Sequence, residues 1–442
     1  MKFFLVKPIS SCRGEITLLG DKSIAHRAII ISAVTSGKTT IKNFPTNKDC
    51  LYTVGAFKKL GIKIIYSSGT VTVNGRGLYG LKKPKGPILV GDSGTTLRLI
   101  LGVLAGQNFA VTLTAGKSLA QRPMLRVTRP LRMMGTKIVA RRASRVAHRE
   151  EYPPITIKGG NLKPITYKMP VASAQVKSAI LLAGLYAKGT TKIAEPAKTR
   201  DHTERMLKLF KAKIKLKQNK IVIKGNKELV SPRKIYIPGD ISSASFFIVL
   251  TSILTNSQVL IRDISLNPSR IGIIKVLKRM GADIKVSKCQ SVKVSRFEPM
   301  GNLLVKSSRL KGTVVRKEEI TSLIDELPIL MVAASVASGK TVLEGVSELR
   351  VKETDRIRSM SENLIKMGAN IKILRTLESE KIVIQGVKEL KGNRIRSFGD
   401  HRTAMSMVVA GLKAVGKTWI EDITCINKSF PDFLSHLKTL IQ

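Results

Sequence analysis

Apolar positions along this chain change their period at regular intervals, and the changes recur. Behind Gly20-Asp21-Lys22-Ser23-Ile24-Ala25-His26-Arg27 lies the apolar run Ala28 to Val34. Similar openings stand at Gly91-Asp92-Ser93-Gly94-Thr95-Thr96, Val171-Ala172-Ser173-Ala174-Gln175, Gly239-Asp240-Ile241-Ser242-Ser243, Ile324-Asp325-Glu326-Leu327-Pro328 and Gly399-Asp400-His401-Arg402-Thr403. Aligned on Asp21, the six copies follow one another at intervals of 68 to 85 residues, a domain-scale repeat. In the last copy Met405, Val408, Val409 and Leu412 fall at i, i+3, i+4 and i+7, which predicts a helix with one apolar stripe on a core. Asp and small polar residues at the openings suit N-caps, where a side-chain oxygen satisfies free backbone N–H groups. Gly37, Gly106, Gly189, Asn256, Gly339 and Gly416 stand at matching far ends and suit the left-handed residue that closes a helix. β-Branched runs such as Thr39-Thr40-Ile41 and Gln258-Val259-Leu260-Ile261 then predict strands.

A second half follows most copies. After copy one a helix near Thr53 to Leu60 ends at Gly61, and strands Lys63 to Tyr66 and Thr70 to Val73 come next. Equivalent helices are predicted at Leu131 to Gly135, Met206 to Phe210, Ile274 to Gly281 and Leu364 to Gly368. The unit reads as helix, strand, helix, strand, strand. Copy six ends with the helix of Phe433, Leu434, Leu437 and Leu440 and has no strands after it, so the N-terminal strands Phe3 to Val6 and Glu15 to Leu18 are expected to complete it. This predicts two α/β domains of three repeats each, 21–237 and 1–20 with 238–442, crossed twice by the chain and hinged there.

Composition narrows the function. The 442 residues are 43% hydrophobic, and no stretch is long and apolar enough for a membrane span or a signal peptide. Cys12, Cys50, Cys289 and Cys425 form no CxxC pair and the five histidines show no ligand spacing, so no disulfide framework, metal or cofactor is expected, and a cytoplasmic protein is. The formal net charge of +47 permits a nucleic-acid partner. The lysines are spread over the whole length, however, and aromatics make up only 5%, so a polyanionic small substrate is the better reading. The densest basic patch, Arg126 to Arg149, reads as a solvated hairpin.

Two motif matches fail on context. Gly75-Arg76-Gly77-Leu78-Tyr79-Gly80 has the GxGxxG form, but Pro84 and Pro87 leave no helix start to receive a pyrophosphate. Gly411 to Thr418 has the P-loop letters but ends a helix and begins a strand, the reverse of the order a P-loop needs.

Polar residues suited to phosphate and carboxylate gather at the repeat openings, where helix starts add partial positive charge. Lys22, Ser23 and Arg27 share one; Ser173, Ala174 and Gln175 another, followed by Arg200; Asp325, His401 and Arg402 occupy two more. Arg350-Val351-Lys352-Glu353-Thr354-Asp355-Arg356 packs three basic groups and two acids into seven residues, and Arg122 and Lys428 stand shortly before prolines. Each alone is more often a surface ion pair or a cap. Together they favour an anion site between two domains.

The whole chain resembles the 5-enolpyruvylshikimate-3-phosphate synthase family of enolpyruvyl transferases. The carriers, in family order, are Gly20-Asp21-Lys22-Ser23 with Arg27, Gly91-Asp92-Ser93-Gly94-Thr95 with Arg98, Arg122-Pro123-Met124, Ser173-Ala174-Gln175, Arg200-Asp201-His202-Thr203-Glu204, Val351-Lys352-Glu353-Thr354-Asp355-Arg356, Gly399-Asp400-His401-Arg402 and Phe430-Pro431. The resemblance implies a two-domain inverse α/β barrel. It also implies transfer of the enolpyruvyl group of phosphoenolpyruvate to the 5-hydroxyl of shikimate 3-phosphate through a tetrahedral intermediate, in an interdomain cleft of a monomer. Carried over by motif, Lys22, Ser23, Arg27, Ser173, Ala174, Gln175, Arg200, Asp325 and Lys352 would hold shikimate 3-phosphate. Lys22, Gly94, Arg122, Gln175, Arg356, Arg402 and Lys428 would hold phosphoenolpyruvate. Asp325 would be the general base, and Glu353, with Lys22, would deliver a proton to the methylene carbon.

Asp92 stands where the family mostly has Asn, a negative charge beside an anion site that bears on phosphoenolpyruvate affinity; Ala115-Gly116 and Leu99 also depart from the common pattern. The sister family that uses UDP-N-acetylglucosamine carries a Cys before its Arg-Pro, and Ala115 to Gln121 has none. A nucleic-acid binder would leave Asp325 and Glu353 unexplained. A catalytically silent paralogue is disfavoured by the retained motifs.

Overall fold

The structure, a computed structural model, describes residues 3–142, 150–289, 297–375 and 379–441. Arg145 and Arg149 of the basic patch lie outside them; Arg129, Arg141 and Arg142 are exposed. The chain forms two compact units: Lys22–Ile237 joined by Phe297 and Glu298, and the remainder on either side. Asp21 stays with the strand before it, because its backbone N–H donates to the Pro238 carbonyl at 2.8 Å.

Among the described residues each unit contains three small sheets, five of the six four-stranded and one three-stranded. In the Lys22–Ile237 unit the orders are Lys234–Tyr236, Gly37–Lys42, Thr70–Gly75, Lys63–Ser67; then Ile88–Leu89, Ala110–Thr114, Glu151–Lys158, Lys137–Arg142; then Thr166–Lys168, Thr190–Ala194, Lys220–Lys224, Ile214–Lys217. The first pair in each is parallel and the others antiparallel. The sheets of the other unit built on Gln258–Ser265 and Lys340–Glu344 follow the same scheme.

The expectation that both N-terminal strands complete copy six holds for one of them. Phe3–Val6 pairs with Thr418–Glu421, whereas Arg13–Thr17 runs parallel to Gln258–Ser265 in the sheet of copy four. The reason is a strand that periodicity did not reveal. Ahead of each repeat helix lies a short strand; in copies two, three, five and six it pairs in parallel with the strand after the helix, a strand–helix–strand crossover. Ile88–Leu89 and Val314–Val315 are two residues long and Thr166–Lys168 and Arg394–Arg396 three, too short for any alternation to register. Where the chain changes unit, this strand stays behind. Arg13–Thr17 therefore fills the place in copy four and Lys234–Tyr236 fills it in copy one.

The six repeat helices are Lys22–Ala33, Gly94–Leu104, Ala174–Gly184, Ile241–Ile253, Leu327–Ser335 and His401–Lys413. The predicted single stripe understates their burial. Every residue of His401–Lys413 except Lys413 is buried, and every residue of Ile241–Ile253 except Ser243. A helix apolar on all sides is an interior element, and in each unit these helices pack on one another, Gly94–Leu104 on Ala174–Gly184 and Leu327–Ser335 on His401–Lys413. The second helices, such as Gly272–Arg279, bury one face only. Five of the predicted helix-closing residues have positive φ: Gly37, Gly189, Gly339, Gly416 and Asn256. Gly106 does not. A Cβ there would lie 2.1 Å from the Tyr186 ring, so close packing, rather than a left-handed turn, requires the glycine. Both motif rejections stand: Gly75 ends a strand with no helix until Gly94, and Gly411 to Thr418 runs from helix to strand. No described helix is long and apolar enough to cross a membrane.

Candidate active site

In the first unit, the Lys22–Ala33 helix has no acidic residue in its first turn, so the positive end of its dipole is not offset there. Lys22 Nζ lies 3.1 Å from Asp49 Oδ2, both side chains about one-fifth exposed. The Ser23 carbonyl accepts from Arg27 Nη1 at 2.8 Å. Arg27 is buried, donating through Nε to Thr203 Oγ1 at 2.6 Å and through Nη2 to Ser178 Oγ at 2.9 Å. One guanidinium thus ties copy one to two helices of copy three. Ser173 caps the Ala174–Gly184 helix by accepting from the Val176 N–H, and leaves Ala174 and Gln175 half-buried at its start. Arg200, half-buried, immediately precedes Asp201 and the His202–Leu209 helix.

Gly94, Arg122 and Gln175 form a single patch. A Cβ on Gly94 would lie 2.8 Å from Arg98 Nη1 and 3.2 Å from Arg122 Nη1, so two guanidinium groups crowd the first residue of that helix. Arg98 Nη1 donates to Gln175 Oε1 at 2.7 Å, and Gln175 Nε2 donates to Thr95 Oγ1 at 2.9 Å. Arg98, part of the motif but given no role from sequence, is the link between them. Asp92 Oδ1 accepts from the backbone N–H groups of Ser118 and Leu119 at 3.1 and 3.2 Å. Its charge is directed at the loop that carries Arg122, and Gly116 is needed there because a Cβ would meet Asp92 Oδ1 at 2.5 Å.

The second unit gathers the acids. Arg356 is buried, donating through Nε to Asp400 Oδ2 at 3.0 Å, through Nη1 to Asp325 Oδ1 at 3.3 Å and through Nη2 to Glu353 Oε2 at 2.6 Å. Burial alone would push its guanidinium pKa down; Asp400, Glu353 and Asp325 outweigh it, so the group is held above its ordinary value and stays charged. Burial lowers the Lys352 ammonium and Arg356 lowers it further, against the pull of Asp325 and Glu353. Asp400 Oδ1 caps the His401–Lys413 helix at the N–H groups of Arg402, 2.7 Å, and Thr403, 3.1 Å. Arg402 Nη1 donates to the Asp325 carbonyl at 2.8 Å. Lys428 ends the short turn Thr424–Lys428 and is exposed. The basic-acidic run divides: Arg350 pairs with Asp355 and Glu380, each at 2.5 Å, while Lys352, Glu353 and Arg356 belong to the Asp325 cluster.

Behind Arg402 is a second buried cluster. Arg270 Nη2 lies 3.9 Å from Asp21, 3.7 Å from Asp240 and 3.6 Å from Glu326, and donates to Ser242 Oγ at 2.6 Å. Burial and then Asp21 push the Asp240 carboxyl up to about 6, against Arg270 and Arg402. Sequence gave no signal for Arg270 or for Asp49, since neither lies in a repeat opening. The aligned Asp is the cap in copies four and six; in copies two and three the cap is the next residue, Ser93 and Ser173. In copy five Glu326 holds the position without a side-chain cap bond, and Asp325 turns to Arg356 instead.

A family profile described as EPSP synthase (3-phosphoshikimate 1-carboxyvinyltransferase) matches residues 6–437. A 3-phosphoshikimate 1-carboxyvinyltransferase of Geobacter sp. (strain M21) is 45% identical, and one of Bacillus thuringiensis (strain Al Hakam) 43%, each over 100% of both chains. A solved EPSP synthase of Acinetobacter baumannii superposes with a TM-score of 0.85 at 39% identity, covering 100% of this chain and 98% of that one.

Proposed function

The chain belongs to the EPSP synthase family, and from that premise we propose how its own residues carry the family's reaction. The reaction is transfer of the enolpyruvyl group of phosphoenolpyruvate to the 5-hydroxyl of shikimate 3-phosphate with release of phosphate, a step of the shikimate pathway to chorismate and the aromatic amino acids. The fold is the two-domain inverse α/β barrel of that family.

We assign shikimate 3-phosphate to Ser23, Arg27, Ser173, the backbone at Ala174, Gln175, Arg200 and Lys352, and phosphoenolpyruvate to Gly94, Arg122, Gln175, Arg356, Arg402 and Lys428, with Lys22 serving both. Two phosphates and two carboxylates are matched by guanidinium groups, whose paired N–H donors fit planar and tetrahedral oxyanions. Asp325 takes the proton of the 5-hydroxyl as its oxygen bonds to C2 of phosphoenolpyruvate. Glu353, with Lys22, gives a proton to the methylene carbon. Loss of a proton from that carbon then accompanies departure of phosphate. Each proton transfer contributes on the order of 10² to 10⁴ in rate.

The observation that carries this reading is the Arg356 guanidinium, bonded to Asp325 and Glu353 at once. It keeps both carboxyl groups oriented within one cluster, the preorganisation that proton transfer needs. We further propose that the protein works as a monomer in the cytoplasm. Phosphate release from phosphoenolpyruvate, assayed with shikimate 3-phosphate and with UDP-N-acetylglucosamine as acceptors, tests the proposed reaction. Turnover with the first alone is expected, and turnover with the second alone refutes the assignment.

A further inference from the structure

Beneath the start of the Ala174–Gly184 helix lies a buried ionic cluster to which the reaction assigns nothing. Lys177, fully buried on that helix, places Nζ 3.0 Å from Glu195 Oε2 and 2.7 Å from Glu204 Oε1. It also donates to the Thr199 carbonyl at 3.4 Å. Glu195 Oε2 accepts from the Thr199 backbone N–H at 3.1 Å and from the Thr199 hydroxyl. Thr199, itself buried, is therefore held at its N–H, its carbonyl and its hydroxyl, and the next residue is Arg200.

A buried lysine with two carboxylates is costly unless every group is satisfied, and apolar residues of similar volume fill a core as well. Here the cluster joins the helix start presenting Ser173 and Gln175 directly to the loop presenting Arg200. Burial raises the Glu204 carboxyl against the pull of Lys177.

We propose that Lys177, Glu195 and Thr199 are positioning residues for Arg200, fixing the distance between its guanidinium and the Ser173–Gln175 helix start so that both engage one shikimate 3-phosphate. The inference rests on the substrate reading above, and its test separates the two. Thr199→Val and Glu195→Gln are compared with Arg200→Ala in steady-state kinetics with both substrates varied. Because misplacement by about 1 Å costs up to about 10²-fold, both variants should raise the KM for shikimate 3-phosphate roughly tenfold, with kcat and the KM for phosphoenolpyruvate changed less than about twofold. Thr199→Ser, which keeps the hydroxyl, should restore the wild-type KM. In the Arg200→Ala background Glu195→Gln should add nothing, since residues acting through one another are not additive. If Arg200→Ala leaves the KM for shikimate 3-phosphate unchanged, the substrate assignment itself falls. If Arg200→Ala raises it while Thr199→Val and Glu195→Gln do not, the positioning role alone is overturned. A fall in kcat with equal rises in both KM values and a lowered melting temperature also overturns it, because that marks a cluster that only stabilises the fold.

Discussion

Asp400 serves two structures with its two oxygens, and the two can be separated. Oδ1 caps the His401–Lys413 helix, and Oδ2 accepts from Arg356 Nε at 3.0 Å. Asp400→Asn keeps an oxygen for the cap and turns an amide nitrogen toward the guanidinium, donor against donor. A hydrogen bond to a charged group contributes about 1.5–3 kcal/mol. Stripping a buried charge of its only partner costs about 3–5 kcal/mol, but Arg356 keeps Asp325 and Glu353, so about 2 kcal/mol is the expected loss. For a domain of about 150–250 residues that lowers the melting temperature by about 4–8 °C. Asp400→Ala loses the cap as well, a further 1 kcal/mol or so. Without its third carboxylate Arg356 tilts, and the KM for phosphoenolpyruvate rises by roughly tenfold. Thermal melts and steady-state kinetics on the two variants read these effects. Identical melting of Asp400→Asn and wild type, or of Asp400→Asn and Asp400→Ala, refutes the division of labour.

Further outcomes are expected. Asp325→Ala lowers kcat by about 10² to 10⁴-fold while calorimetry still detects shikimate 3-phosphate binding; near-normal turnover removes it as the base. Arg122→Ala mainly raises the KM for phosphoenolpyruvate, and an equal rise for both substrates contradicts the assignment. Asp92→Asn keeps the acceptor for Ser118 and Leu119 and leaves kinetics within about twofold, whereas Asp92→Ala loosens the Arg122 loop and raises the KM for phosphoenolpyruvate; equal behaviour of the pair refutes this role. The Asp240 carboxyl, pushed up to about 6, binds its proton more tightly in the folded protein than in the unfolded chain, where it titrates near 4. Its contribution to stability is therefore full below about 4 and is lost as pH rises through about 6. Asp240→Asn, which keeps an acceptor for the Ser242 N–H, should flatten urea melts across that window, and an unchanged slope would assign the effect elsewhere.

Much of the candidate site was legible because its residues sit at helix starts in a repeat. Lys22, Ser173, Asp325 and Arg402 could be found from a cap, an apolar run and a matching offset. Arg98, Asp49 and Lys177 could not be given roles, since what each does depends on a partner 77, 27 and 18 residues away in sequence. Asp92 is a similar case. Its charge was visible, but not the two backbone N–H groups that receive it.

Local pattern alone determined the six helices, the strands after them, the turns that close five of those helices, and the rejection of both nucleotide motifs, because these follow from the period of apolar residues and from backbone preferences within a few positions. Tertiary structure decided the rest. It sent Arg13–Thr17 to copy four and Lys234–Tyr236 to copy one, since a two- or three-residue strand has no pattern of its own and is defined only by the neighbour it bonds to. It also decided which carboxylates surround Arg356 and which surround Arg270: ion pairing inside a protein is set by distance in space, and nothing in the order of residues along a chain encodes that distance.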